Sequence, residues 1–321
     1  MAIIQTISGP VATEAFGPTL SHEHLCSGFG GMDKTAIFDP DEAVRRAVEA
    51  LASVYGVGIR TVIDCTPVDL GRQASVFERV AAQTAVQVIA ATGVYRSPSL
   101  MWGAWDIDTC AEYFLREIQD GIEGSGIKAG VIKIAWDIEY RFGPLGAVLE
   151  KCARGAARAA KAGGVPITCH TLAADRHGDR LIEIFEDEGV DLRAVTIGHT
   201  NDSWDIDYVI GLARKGATIG LDRFVTRYDR AEMERRSNIA LQLAKAGFAE
   251  QTSLGHDAAA YSLNGGPARG GPRAENPRVF HLVSEIEVPW LRAHGATEDQ
   301  IDAMLTRSVR ASFEAAAAMK L

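Results

Sequence analysis

Short apolar segments and longer amphipathic ones alternate along the whole chain. Eight segments rich in β-branched and other apolar residues fall at 19–24, 60–66, 87–95, 129–135, 165–170, 194–199, 217–222 and 252–257. Several are nearly continuous in apolar residues, among them Thr61-Val62-Ile63-Asp64-Cys65 and Gly130-Val131-Ile132-Lys133-Ile134. That is the pattern of parallel strands covered on both faces, not of half-exposed antiparallel ones. Between these segments, apolar residues recur with helical spacing over 41–55, 108–123, 145–162, 179–188, 203–215 and 230–246. Asp39-Pro40-Asp41-Glu42 offers a capping side chain and an acidic first turn, while Lys161-Ala162-Gly163-Gly164 and Lys245-Ala246-Gly247 offer helix stops.

Eight strands with interposed helices predict an α/β fold of the (β/α)8 TIM barrel type, with an open doubly wound sheet as the rival. The rival lacks its glycine fingerprint. Gly56-Val57-Gly58 precedes a strand instead of following one and reads as a helix-to-strand turn. The 321 residues fit a single domain spanning 1–321, because such barrels run to about 250 residues or more as one unit. Asn264-Gly265-Gly266-Pro267-Ala268-Arg269-Gly270-Gly271-Pro272 is too rich in breakers for a regular element, and it reads as a mobile loop over the barrel mouth.

A hydrophobic fraction of 47% against 23% charged residues provides for a substantial core and argues against disorder. The net charge of -9, with no Lys/Arg-rich run, disfavours nucleic acid and anionic membranes as partners. Met1-Ala2-Ile3-Ile4-Gln5-Thr6 lacks the basic start and long apolar stretch of a secretory signal, and no segment carries a membrane-spanning apolar run, so a cytoplasmic protein is expected. Cys26, Cys65, Cys110, Cys152 and Cys169 contain no Cys-x-x-Cys pair and read as reduced thiols.

The candidate chemistry sits at the ends of the predicted strands. His22 and His24 lie two apart, so a strand turns both to one face, and neutral imidazoles suit zinc-like cations. His170 and His199 close two further strands, and the carboxyl ends of parallel barrel strands converge on one mouth. Asp257 ends the eighth strand, where one oxygen can ligate a cation and the other accept a proton. His256 next to it should point away by local alternation. Lys133 lies within an apolar strand, where an ammonium is expensive to desolvate. A neutral amine there can add carbon dioxide, and the resulting carbamate has two oxygens able to bridge two cations. A plain ion pair with a buried acid such as Asp64 is the alternative.

Gly17-Pro18-Thr19-Leu20-Ser21-His22-Glu23-His24-Leu25 and Lys128-Ala129-Gly130-Val131-Ile132-Lys133-Ile134-Ala135 resemble the signatures of the phosphotriesterase family, in the amidohydrolase superfamily. His170, His199 and Asp257 follow in the order this resemblance expects, at the ends of strands five, six and eight. It implies a binuclear metal site at the carboxyl ends of the strands, with two divalent ions bridged by a carboxylated Lys133 and a hydroxide. His22, His24 and Asp257 would hold the more buried ion, and His170 and His199 the more exposed one. Zinc is the first choice of metal; cobalt, manganese and iron suit the same ligands. Thr92-Gly93-Val94-Tyr95 and Gly220-Leu221-Asp222-Arg223 resemble turns of the lactonase branch. That resemblance implies Tyr95 as a substrate contact and catalytic residue and Arg223 as a loop organiser at the substrate. The chain departs from that branch after Asp257, where Ala258-Ala259-Ala260-Tyr261 stands, so Tyr261 enters as a pocket candidate. Trp102, with Trp105, either forms another pocket wall or simply packs. The expected activity is hydrolysis of a small-molecule lactone, N-acyl homoserine lactones being one candidate, with organophosphate triesters as a side activity. A phosphotriesterase or an acyl-amide or ester hydrolase is the alternative. The resemblance also suggests a homodimer.

Overall fold

The computed structural model describes residues 2–28, 38–96, 100–137, 144–224, 229–263 and 278–320. The Gly/Pro-rich stretch at 264–272, expected as a loop over the mouth, lies outside the described residues. An antiparallel hairpin of β1 (Ile3–Thr6) and β2 (Gly9–Ala12) opens the chain.

Nine parallel strands then form one curled α/β sheet with helices between them, consistent with a TIM-like barrel. They are β3 (Thr19–Ser27), β4 (Thr61–Asp64), β5 (Gln87–Gly93), β6 (Val131–Trp136), β7 (Ile167–Thr171), β8 (Val195–Ile197), β9 (Thr218–Leu221), β10 (Thr252–Leu254) and β11 (Ala259–Ser262). Their order across the sheet is β10-β9-β8-β7-β6-β5-β4-β3-β11. Every residue of β3 and β4 is buried, as parallel strands covered on both faces require.

Beyond Leu254 the last strand segment crosses from one edge of the sheet to the other. The Gly255 amide donates to the Leu221 carbonyl on β9, the Asp257 amide donates to the His22 carbonyl on β3, and Ser21 Oγ donates to the Leu254 carbonyl. The first and last barrel strands therefore meet. The expected eighth strand at 252–257 ends at Leu254, because Asp257 takes a left-handed backbone (φ +50°) that cannot continue a strand.

The helices start where their caps are. α1 (Pro40–Gly56) begins behind Asp39, whose side chain accepts from the Asp41 and Glu42 amides, and it buries Val44, Ala47, Leu51 and Val54 against the sheet. Each such Val or Leu stabilises the fold by roughly 1.5–3 kcal/mol. α2 (Ala74–Ala81), which the apolar pattern did not single out, lies against α1. α3 (Leu100–Ala104) and α4 (Ile107–Gln119) follow β5, and α5 (Pro144–Gly163), α6 (His177–Asp187), α7 (Ile206–Arg214) and α8 (Arg230–Lys245) follow successive strands. After β11 come α9 (Val288–Ala293), α10 (Glu298–Asp302) and α11 (Ser308–Met319). Inward residues Ile63, Cys65, Ile89, Ala91 and Val131 pack with Val309 and Phe313 of α11 and with Ile4 of the hairpin, filling the floor of the sheet's interior. Polar and ionisable side chains continue these inward columns towards the carboxyl ends. Among the described residues no helix is long and apolar enough to cross a membrane, and the five cysteines are buried and form no disulfide.

Candidate metal centre

Strand periodicity places the first residues of the site. His22 and His24 on β3 share a face, with ring centroids 5.5 Å apart. On β6, Lys133 stands two residues beyond the inward Val131 and so points inward too. It is 1% exposed, and its Nζ lies 2.8 Å from His22 Nε2. Asp64 is not its partner: that carboxylate accepts the Leu25 and Thr66 amides instead. Gly93, facing Lys133 in the β5–β6 register, has φ +123°, and a Cβ there would sit 1.8 Å from the Lys133 carbonyl oxygen. Only glycine lets the two strands approach closely enough to set the lysine at this depth.

His170 lies within β7, while His199 and Asp257 lie just past β8 and β10. Both of the latter have left-handed backbones, φ +62° and +50°, a conformation costing about 1–3 kcal/mol for a side-chain-bearing residue. The surrounding bonds impose it. The His199 amide donates to Asp222 Oδ1 and the Asp257 amide to the His22 carbonyl.

Each imidazole has an oxygen on the side away from the centre. His22 Nδ1 and His199 Nδ1 lie 2.7 Å from the two oxygens of one carboxylate, Asp222. His24 Nδ1 is 2.8 Å from Thr66 Oγ1, and His170 Nε2 is 3.4 Å from Asp137 Oδ2, which also pairs with Arg96. The opposite nitrogens converge. His199 Nε2 lies 2.7 Å from His170 Nδ1, and Asp257 Oδ1 lies 3.2 Å from His24 Nε2 and 3.6 Å from His22 Nε2. Donor atoms of His22, His199 and Asp257 all fall within 4.8 Å of one another, a group that could hold a metal ion.

Electrostatics select the protonation states. Burial holds the His22, His170 and His199 imidazoles below their ordinary value, His170 at about 4, with Lys133 adding to the effect at His22 and Arg223 at His199. Burial alone would raise the two carboxyls, yet both stand well below the usual range. At Asp222 the pull and hydrogen bonds of His199 and His22 prevail; at Asp257 the pull of His199, the His24 bond and the Arg223 guanidinium prevail. With the Nδ1 proton of His199 directed to Asp222 and an Nε2 proton of His170 directed to Asp137, the two nitrogens 2.7 Å apart would both present lone pairs. Neutral imidazoles facing each other in this way, beside a carboxylate, fit a bound divalent cation.

The other candidates divide. Tyr95 follows β5; its amide donates to Asp69, and its hydroxyl lies 3.5 Å from His170 Nδ1. Arg223 Nε donates to Asp257 Oδ2 across 3.1 Å. Both therefore stand at the histidine cluster. Trp102 does not: it is buried on α3, stacked on Phe114 and edge-on to Trp105 and Tyr113. Nor does Tyr261, a buried residue of β11 whose hydroxyl accepts from the Asp39 amide at the start of α1 and whose ring lies beneath the Arg46 guanidinium. His256 turns away and donates from Nδ1 to Glu23, while its Nε2 accepts from the Val283 amide.

Residues 2–313 match the sequence model of the phosphotriesterase family. The chain belongs to the phosphotriesterase family. Its relatives include a phosphotriesterase homology protein of Mycobacterium tuberculosis, 34% identical with 98% of each chain covered. An aryldialkylphosphatase of Saccharolobus solfataricus is 30% identical, over 94% of this chain and 96% of that one. More distant is an N-acetyltaurine hydrolase of Rattus norvegicus, 23% identical over 79% of this chain and 83% of its own.

In this phosphotriesterase-family chain, sequence reasoning passed over Asp222, Thr66 and Asp137, the oxygens that orient the imidazoles. Asp222 and Asp137 each follow a strand by one residue, and an acid at a barrel strand's carboxyl end is the signal that could have found them. Thr66 offered none.

Proposed function

We propose that this phosphotriesterase-family hydrolase is metal-dependent and opens lactones, N-acyl homoserine lactones among them, while turning over organophosphate triesters more slowly. The observation that supports metal dependence is the pair of imidazole nitrogens, His170 Nδ1 and His199 Nε2, meeting 2.7 Å apart beside His22, His24, Lys133 and Asp257. In this reading His22, His24 and Asp257 hold one divalent cation, His170 and His199 hold a second, and a carboxylated Lys133 joins them within one barrel domain. Carboxylation forms an N–C bond between the Lys133 amine and carbon dioxide, and one proton leaves. Zinc is the preferred ion; cobalt, manganese and iron suit the same donors. When bound, such a pair supplies a water nucleophile competent at neutral pH and polarises the electrophile.

The chain's own groups do the rest. Asp257 turns Oδ1 towards the histidines, where it would hold the cation, while Arg223 donates to Oδ2 and orients this second oxygen, the one left to accept the proton released during attack. Burial, aided by the negative charge of Asp257, pushes the Tyr95 phenol up to about 12, so its hydroxyl stays a donor for the substrate's carbonyl oxygen throughout the neutral range. Tyr95 and Arg223, standing together at the cluster, support the lactone reading. The relative named aryldialkylphosphatase favours a phosphotriesterase as the second reading. Five cysteines outside any disulfide support a reducing, cytoplasmic setting.

Elemental analysis of the purified protein, with kcat/KM measured for lactones, aryl esters, phosphotriesters and N-acyl amino acids, tests this. About two metal equivalents per chain, on the two-ion logic, and a preference for lactones are expected. A triester or amide at the head of the panel would select another reading, and full activity without metal would refute metal dependence.

A further inference from the structure

Asp222 meets two of the site's imidazoles at their Nδ1 atoms, one on each oxygen, and its oxygens are not equivalent. Oδ1 accepts twice from His199, from the backbone amide at 2.8 Å and from Nδ1 at 2.7 Å. Oδ2 accepts from His22 Nδ1, also at 2.7 Å. The carboxylate fits a slot kept open by glycine. A Cβ on Gly198 would lie 2.9 Å from Oδ2 and one on Gly220 3.2 Å from it, while a Cβ on Gly255 would lie 3.3 Å from the Asp222 Cβ. The side chain is 1% exposed, so solvent does not compete for these bonds.

Resting on the two-cation reading above, we propose that Asp222 is a positioning residue that sets the tautomers of His22 and His199 together, tying a ligand of one cation to a ligand of the other. Each Nδ1–H held by a carboxylate oxygen leaves the corresponding Nε2 with its lone pair towards the centre. Arg223 Nε also approaches His199 Nδ1, at 3.2 Å, but a nitrogen that already carries a proton cannot accept, and the guanidinium instead serves Asp257. A single acceptor-only group thereby prepares nitrogens on both sides of the site, something neither a neutral amide nor a hydroxyl can do.

The inequality of the two oxygens makes the proposal specific. In Asp222→Asn one oxygen becomes an NH2 donor. Placing that NH2 at Oδ1 would break both His199 bonds, whereas placing it at Oδ2 breaks only the bond to His22. The amide therefore keeps its oxygen on His199 and turns a donor towards His22. His22 must then move its proton to Nε2, where it occupies the lone pair that faces Lys133 and Asp257. His199 is unchanged. Asp222→Asn is expected to spare the cation held by His170 and His199 and to weaken the one held by His22, His24 and Asp257. Asp222→Ala releases both imidazoles and weakens both cations.

The test has two readouts. Metal-free protein titrated with zinc chloride, separated from free ion and analysed for zinc, should give two equivalents for wild type. For Asp222→Asn, one equivalent should remain at wild-type affinity and the other be weakened by about 10–100-fold, the range for loss of an orienting partner. Long-range proton–nitrogen NMR of the metal-free imidazoles should show Nδ1–H at both His22 and His199 in wild type, and Nε2–H at His22 alone in Asp222→Asn. Superimposable zinc titrations for the two proteins, or wild-type His22 found as the Nε2–H tautomer, would overturn the proposal. The wild-type spectrum decides even if Asp222→Asn does not fold. Wild type taking up fewer than two zinc ions while showing both Nδ1–H tautomers would instead fail the two-cation reading and leave the tautomer assignment standing.

Discussion

Glu287 precedes α9 with no exposed surface, and its Oε2 meets Ser237 of α8. Ser237 has one hydroxyl proton, and the Met233 carbonyl, 3.0 Å away, is placed to take it. The contact with Glu287 is then a hydrogen bond only if the carboxyl itself is protonated and donates to Ser237 Oγ. Burial agrees, pushing the Glu287 carboxyl up to about 8 from 4.5. A folded pKa above the unfolded one means that the folded state binds the proton more tightly. This contribution to stability is fully present below about pH 4.5 and is lost as pH rises through about 8. At about 1.36 kcal/mol for each pH unit between 4.5 and about 8, it reaches roughly 5 kcal/mol. Glu287→Gln keeps the shape, and its amide can donate to Ser237 without titrating. Urea unfolding of both proteins from pH 5 to pH 9 isolates the effect, because all other titrations cancel in the difference. The stability of wild type relative to the variant should fall by up to about 1.4 kcal/mol for each pH unit between 5 and 8. Parallel pH profiles for the two proteins would refute a buried, protonated Glu287.

Lys133→Ala should lose bound metal and hydrolysis together, and a small carboxylic acid added to the variant should restore part of both. Retention of two metal equivalents without that additive would rule out a bridging carbamate. Tyr95→Phe should lower lactone kcat/KM by up to about 10-fold, the worth of one hydrogen bond of up to 1.5 kcal/mol, with little change in metal content; an unchanged kcat/KM removes the proposed contact. Trp102→Ala should cost about 3–5 kcal/mol of stability, as for a large side chain removed from a core, because its ring lies between Phe114, Trp105 and Tyr113. A variant as stable as wild type but with raised KM would instead make Trp102 a pocket wall.

The strand pattern was legible because parallel strands covered on both faces leave continuous apolar runs, and all eight expected segments contain strands of the sheet. His22, His24 and Lys133 followed from strand alternation alone. What the sequence could not display was the path of the chain once the strands end. His199 and Asp257 reach the cluster through left-handed backbones, which no periodicity encodes for residues other than glycine. Asp222 read as part of a turn beside Arg223, since its two partners lie 200 and 23 residues away in sequence. Trp102 and Tyr261 were placed by proximity in sequence to strand ends. In the fold their rings pack against helices α4 and α1, because an aromatic side chain gains more from closing a helix–sheet layer than from lining a polar mouth. The β11 strand, beginning in a run of alanines, carried little β signal of its own and forms through pairing with β3.

Where β10 hands over to β11, the crossing at 255–258 stitches β9 to β3, and Asp257 sits on that stitching opposite His22 and His24. In the two-cation reading proposed above, an ion gripped by these three side chains would act as a clasp over the join. Stripping it away should loosen this edge before any other part of the wall, so that fastening the cargo and fastening the scaffold become one event.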